Sequence, residues 1–525
     1  MLSKLVLASA LATTLAHQVP FESSSHYEFE WPIKDVAIIG AGVSGLLAYN
    51  ALTETGDFER VRIFERDDAP GGNWHYTPER ASDVPISMGN TSDWWKTDYV
   101  PRIPAQVPHH QIHKAGTNES IKQVLKRERL NHRQPKPLWE TLRANTPAPQ
   151  QQVPSFPWPP HVQWASHHSE LQRYLRSFAS WLGISAGDRN PVVSYNTRTE
   201  LVTKRFDKYG RHRGWTLLLR KFVETREGQY EETYWEEHFD AIVVASGRFN
   251  VPHIPAIPGL IEWQKRVPEK IIHSRQYRSA GDLKDKNVIV IGASASATGI
   301  SADINTFAKT SYLSVREGSN DPRAPVRRAT HINTVPSNTT FIGEIKAFHA
   351  IPEGGEIRDG RIELLNGTFI SGIDQLIFGT GFRYAFPFLP QYHNSSASRD
   401  QPVDSEQQPI VTDGSHVRSL YLDIFYIDQP TVAFLGQNVG IQTFSYGKYA
   451  GAAIARVWSG KAQIPSSAAQ WRHFWNTVEE RGGLKKGFQW LNAEANDKCL
   501  RFFVAWLNAD AARNGGRLLD LPPDV

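Results

Sequence analysis

Two glycine-rich turns, and the charged residues that follow them, carry the chemistry legible in this sequence. The first is Gly40-Ala41-Gly42-Val43-Ser44-Gly45, a Gly-x-Gly-x-x-Gly pattern. Its first glycine makes a tight turn, its second lets a pyrophosphate approach the backbone, and its third lets a helix pack closely on a strand. The helix N-terminus opened by such a turn offers free N–H groups and partial positive charge to phosphates. Glu65 follows 25 residues after Gly40, where a carboxylate can accept ribose hydroxyls. The second turn is Gly292-Ala293-Ser294-Ala295-Ser296-Ala297, and Arg316 follows 24 residues after Gly292. The two units match in length and end in opposite charges. An acid suits a plain ribose and an arginine suits a 2′-phosphate, so the residues point to one flavin-type and one NADP-type site.

Other chemistry is sparse. Gly72-Asn73-Trp74 gives a tight backbone followed by an aromatic that can border a planar cofactor. His109, His110 and His113 have no carboxylate or cysteine partners at ligand spacing, so they are read as surface histidines and no metal site is expected. Cys499 is the only cysteine, which excludes an internal disulfide and argues against thiol or cysteine–zinc chemistry.

The elements that must position these residues follow from apolar patterning. Strand-like runs over 34–39 and 60–64 flank a helix carrying Leu46, Leu47, Ala48 and Leu52. Residues 75–137 show no clear period and read as an excursion over the surface, with 122–129 a solvated helix face. An amphipathic helix over 170–182 places Leu171, Tyr174, Leu175, Phe178 and Leu182 on one face. Antiparallel strands are expected over 192–235 and a buried strand over 239–244. The second turn sits between strands 287–291 and 311–315. A further apolar run, 374–378, is expected to rejoin the first sheet, followed by a strand over 430–436 and a helix over 446–458. The tail from 463 reads as helical and Trp-rich, without assignable chemistry. The expected fold is α/β, with two Rossmann-like dinucleotide-binding domains and the NADP domain inserted into the FAD domain. Its boundaries are 30–280 and 353–465 for the FAD domain, 281–352 for the NADP domain, and 466–525 for a helical extension.

A chain of 525 residues with 40% hydrophobic content accommodates these domains, and a net charge of +4 without a dense basic block argues against nucleic-acid binding. Lys4, the apolar segment 5–15 and the small-x-small site Thr14-Leu15-Ala16 predict a signal peptide over 1–16. That segment is too short to span a bilayer, and no other apolar run is long enough. Sequons at Asn90, Asn118, Asn338, Asn366 and Asn394 agree with entry into the secretory pathway and glycosylation.

Six landmarks in order complete the reading: the Gly40 turn, Gly72-Asn73-Trp74, Leu142-Arg143-Ala144-Asn145-Thr146-Pro147, His273-Ser274-Arg275-Gln276-Tyr277, the Gly292 turn, and Ile377-Phe378-Gly379-Thr380-Gly381-Phe382. Over about 34–460 the chain resembles the flavin-containing monooxygenase family, and its signal, sequons and tail resemble fungal secondary-metabolism members. The resemblance implies non-covalent FAD, NADPH as reductant, O2 and a small-molecule substrate as reaction partners, and a C4a-hydroperoxide passing oxygen to an amine or sulfide. It implies that Asn145, with Thr146, touches flavin and nicotinamide, where an amide can hydrogen-bond the peroxide without competing as a base. It also implies His273 and Ser274 near the nicotinamide; a satisfied structural histidine is the alternative for His273. Tyr277 favours heteroatom oxidation over the Baeyer–Villiger branch, which has Trp-Pro or Trp-Asp after its histidine. The chain departs from the family at Val267 and Glu269, and at Ser294 and Ala297, which replace glycines. A Cβ at Ser294 comes toward the pyrophosphate. That departure keeps open an FAD oxidase or dehydrogenase that does not use NADPH, beside the Baeyer–Villiger alternative.

Overall fold

The computed structural model describes residues 25–81, 94–97, 99–114, 120–185, 190–225, 228–316, 329–400 and 407–520. The expected signal peptide and the sequons at Asn90 and Asn118 lie outside the described residues.

The run Asp35–Ile39 forms a strand whose last four residues are buried, and the Gly40 turn carries it into the helix Val43–Thr55. The turn requires glycine for steric reasons. Gly40 has φ +108°, and a Cβ at Gly45 would stand 1.9 Å from the Gly40 carbonyl oxygen. Helix and strand are therefore in backbone contact. The first sheet has seven strands in the order Leu420–Tyr421, Phe425–Tyr426, Val432–Phe434, Ala241–Val244, Asp35–Ile39, Arg60–Phe64, Val193–Ser194. The last five run parallel and the first two are antiparallel additions. One face packs on the helices Val43–Thr55 and Thr443–Trp458 through Ile38, Leu46, Leu47, Ala450 and Ile454. The other face meets a four-stranded antiparallel sheet, where Ala37, Ile39 and Phe64 bury against Trp215, Leu217 and Leu219.

The second sheet has five parallel strands in the order Ile271–His273, Gln375–Phe378, Asn287–Ile291, Thr310–Ser314, Thr340–Ile342. This corrects one expectation. The strand Gln375–Phe378 does not rejoin the first sheet but pairs with Asn287–Ile291, Ile289 opposite Leu376 and Ile291 opposite Phe378. Asp374 fixes this register: its N–H donates to the Asn287 carbonyl (2.9 Å) and its carboxylate accepts the Asn287 N–H (2.8 Å). An apolar run buried on both faces matches either parallel sheet, so patterning alone could not choose. The inserted domain therefore reaches from the strand at 271 through 378, wider on both sides than 281–352, and the chain returns to the first sheet only at 420–434.

The segment 75–137 is also more regular than expected. It contributes the edge strand His109–His113 and the helix Ile121–Arg133, capped by the Ser120 side chain, which accepts the Gln123 N–H. Lys122 and Lys126 are solvated, as read. The inward positions, however, include Glu128 and His132, with Glu128 paired to Arg102 at 2.9 Å. The solvated face expected over 122–129 is thus only the outer side of the helix, because a polar inward face carries no apolar period to announce the buried one. The tail forms the helices Ser467–Glu480 and Ala493–Asn514, the latter burying Phe503, Trp506 and Leu507.

Candidate active site

Both glycine turns open onto one cavity of about 1890 Å3. On the first side it is lined by Gly40, Gly42, Val43, Ser44, Glu65, Gly72, Asn73 and Trp74. The N-cap Gly42 offers no side-chain cap, so the first-turn N–H groups of the helix have no intrahelical partners and face the cavity. Gly72 packs against this turn so closely that a Cβ on it would sit 2.7 Å from the Gly42 Cα. Glu65 is buried and accepts the Ala41 N–H (2.6 Å) and the Asp67 N–H (2.9 Å), one on each carboxylate oxygen. It fixes the turn and still borders the cavity. Ala41 and Gly45, by contrast, do not line it: the Ala41 N–H is spent on Glu65 and Gly45 is spent on helix–strand contact.

On the second side the cavity is lined by Gly292, Ala293, Ser294, Ala295, Ser296 and Arg316. Ser294 is the N-cap of the helix Ala295–Ile304, with extended backbone (φ −129°) and no side-chain cap bond. Any residue adopts that conformation, so the serine leaves the turn unstrained. Ala297 is accommodated because its packing neighbour is a glycine: a Cβ at Gly379 would lie 2.6 Å from the Ala297 Cβ. Two uncapped helix N-termini thus face one cavity, each suited to a pyrophosphate. Arg316 is exposed at the end of its strand and adds positive charge at the rim.

Asn145 and Thr146 line the cavity on the segment 138–148, with Asn145 exposed to it. That segment is clasped by Ala144 N–H donating to the Ser166 carbonyl (2.8 Å) and Ala148 N–H to the Trp164 carbonyl (2.9 Å). His273 and Ser274 do not line the cavity, which corrects their expected cofactor contact. His273 is fully buried; its Nδ1 accepts the Arg275 N–H (3.1 Å), which makes Nε2 the donor to the Gly381 carbonyl (3.0 Å). Burial pushes its pKa down to about 3, so it is neutral and structural.

Several lining residues had no signal in the sequence. His253 borders the cavity, and burial, with Lys486 and other cations, holds it neutral with a pKa of about 3. Arg248 donates to the Gly436 carbonyl (2.8 Å) while its Nε is buried without a partner. Lys136 forms a buried pair with Asp67 at 2.6 Å beside Glu65. Burial alone would raise the Asp67 pKa, but Lys136, His75 and Arg66 together hold it below the usual range. The tail closes another wall with Ala493, Asn496, Asp497, Leu500 and Arg501. These follow a helical i, i+3, i+4, i+7, i+8 spacing that a search for apolar stripes misses because three are polar.

Fold and site together define a flavoprotein oxidoreductase with two dinucleotide sites facing one reaction space. Comparisons agree. The flavin-binding monooxygenase-like family model matches residues 136–321, and the NAD(P)-binding Rossmann-like domain model matches 38–127. A flavin-containing monooxygenase of Amanita muscaria is 40% identical, covering 98% of this chain and 97% of that one. Another from Aspergillus flavus is 30% identical over 91% of this chain and 92% of that one. The solved S-allyl-L-cysteine S-oxygenase of Allium sativum shares the fold, with a TM-score of 0.61 at 23% identity over 92% of this chain and 89% of its own. The chain belongs to the flavin-containing monooxygenase family and uses FAD and NADPH.

Proposed function

We propose that this monooxygenase oxygenates a nitrogen or sulfur centre of a small metabolite. The observation that carries the reading is the single cavity shared by two uncapped helix N-termini, with the Asn145 amide exposed in it. FAD would sit on Gly42, Val43, Ser44, Glu65 and Gly72-Asn73-Trp74, and NADPH on Ser294, Ala295, Ser296 and Arg316. When bound, the pair supplies reduction of O2 by NADPH electrons and delivery of one oxygen atom. The chain contributes position and electrostatics. The first-turn N–H groups neutralise the phosphates, and the Asn145 amide offers hydrogen bonds where charge develops without acting as a base. His253 is held neutral by burial, so it does not serve as a proton donor at neutral pH. Tyr277, in the place that favours heteroatom oxidation, is buried with its hydroxyl donated to Asp303.

The extended, unstrained backbone at Ser294 supports use of the second turn by NADPH over an oxidase that ignores it. The test is turnover with NADPH and O2 in the presence of a tertiary amine, a dialkyl thioether or a cyclic ketone. N-oxide or sulfoxide formation matched by lower H2O2 release supports the reading. Lactone from the ketone alone would move the protein to Baeyer–Villiger chemistry, and H2O2 with every probe would make it an oxidase. We also propose that the protein enters the secretory pathway. Asn338 and Asn366 are exposed, which supports this.

A further inference from the structure

The segment that carries Asn145 is attached to both domains. On the FAD side, His168 N–H donates to the Leu142 carbonyl (3.1 Å), and the Ser166 and Trp164 carbonyls accept from Ala144 and Ala148. On the nicotinamide side, Glu140 N–H donates to the Arg278 carbonyl (2.9 Å). The Trp139 ring lies over Gly299, where an added Cβ would come within 3.1 Å of it. The most specific tie is Asp303, near the C-terminal end of the helix Ala295–Ile304. One of its carboxylate oxygens accepts the Thr141 hydroxyl and the other accepts the Tyr277 hydroxyl. Thr141 and Asp303 both line the cavity, while Tyr277 is buried with its ring edge-on to Trp139 at 6.0 Å between centroids. Burial, and after it Asp303, hold the Tyr277 phenol protonated and therefore able to donate.

We propose that Asp303 is a positioning residue for oxygen transfer: its carboxylate pins the Asn145 segment, through Thr141, to the helix whose other end faces the nicotinamide cofactor's phosphates. The helix is a ten-residue rod from Ala295 to Ile304, about 15 Å long at 1.5 Å per residue. Its N-terminus sets the phosphates and its C-terminal turn sets the Asn145 segment, so the two keep one register. Tyr277 holds the carboxylate from behind, so that its second oxygen has a fixed direction toward Thr141. Two hydroxyls on one carboxylate are charge-assisted bonds, stronger and more directional than neutral ones. The inference rests on the reading of Asn145 given above.

The experiment compares wild type with Asp303→Asn, Thr141→Val, Thr141→Ser, Tyr277→Phe and Asn145→Ala as purified holoenzymes. Three quantities are read: FAD per chain, NADP+ affinity from perturbation of the flavin spectrum, and H2O2 formed per NADPH oxidised in the presence of an accepted probe amine or thioether. FAD content should stay at wild-type level in all variants. H2O2 per NADPH should rise at least threefold in Asp303→Asn and Thr141→Val, and remain at wild-type level in Thr141→Ser, which keeps the hydroxyl. NADP+ affinity should weaken severalfold in Asp303→Asn. Tyr277→Phe keeps the packed ring and removes only the hydroxyl, so it reports on the latch if Asp303→Asn fails to fold; it too should uncouple. Wild-type coupling in Thr141→Val and Tyr277→Phe, or equal uncoupling in Thr141→Ser and Thr141→Val, overturns the inference. If Asn145→Ala stays coupled while the latch variants uncouple, the reading of Asn145 fails and the latch stands.

Discussion

Removing the Arg316 guanidinium should cost the enzyme NADPH and leave NADH nearly untouched. Arg316 lines the cavity just beyond the strand Thr310–Ser314, 24 residues after Gly292. A guanidinium can meet a 2′-phosphate through two parallel charge-assisted hydrogen bonds. Such a contact is worth about 1.5–3 kcal/mol. Because Arg316 is exposed, solvent screening puts it at the lower end, about 1.5–2 kcal/mol. Arg316→Ala should therefore weaken NADPH roughly 10- to 30-fold. NADH lacks the phosphate and should change less than about twofold. The assay is anaerobic flavin reduction by each nucleotide over a concentration series, at fixed ionic strength because the contact is screenable. Equal losses with both nucleotides, or none with either, would show that Arg316 does not read the phosphate.

Four further outcomes are expected. In Gly45→Ala the new Cβ meets the Gly40 carbonyl oxygen at 1.9 Å, a backbone atom that cannot step aside, so stability should drop by about 3 kcal/mol and the protein should purify with little FAD; a fully yellow, equally stable variant would refute the packing argument. Asn145→Ala and Asn145→Asp should keep FAD but divert NADPH electrons to H2O2, a loss of about 1.5–3 kcal/mol at the reacting site; unchanged coupling in both would make Asn145 a turn residue. His273 is fully buried with its pKa pushed down to about 3, against about 6.5 unfolded, so the native state binds fewer protons and stability falls as pH drops from about 6.5 toward 3. Between pH 7 and 5.5 this is about 1 kcal/mol, read as the extra denaturant sensitivity of wild type over His273→Asn, and equal sensitivity would count against it. Expressed through a secretory route, the protein should carry glycans at the exposed Asn338 and Asn366, whereas the half-buried Asn394 should remain bare; peptide mapping decides, and no glycan at either exposed site would refute the route.

What was legible in the sequence was what chemistry fixes by spacing. A dinucleotide turn must place its glycines and its terminal charge at set intervals, so Gly40 to Glu65 and Gly292 to Arg316 could be read without a fold. Where packing decides, the letters were ambiguous. Gln375–Phe378 is buried on both faces, and only its pairing with Ile271–His273 and Asn287–Ile291, a contact its letters do not encode, assigns it to the second sheet. His273 and Ser274 sit in a motif, yet the side chains turn inward, and the histidine's two hydrogen bonds explain its presence. Over 122–129 a helix was legible only as a solvated face, because its inward residues include the polar Glu128 and His132, and the tail's cavity wall hid behind polar residues at helical spacing.

If the two turns serve one reaction space, electrons from a nucleotide at the Gly292 turn reach a flavin at the Gly40 turn. Anaerobic mixing of the purified yellow protein with one equivalent of NADPH tests it most directly, with the visible flavin absorbance as readout. Rapid and complete bleaching by NADPH is expected, with NADH slower by roughly tenfold or more at equal concentration. A flavin that stays oxidised with NADPH, while dithionite bleaches it at once, would show that the two turns do not share one reaction.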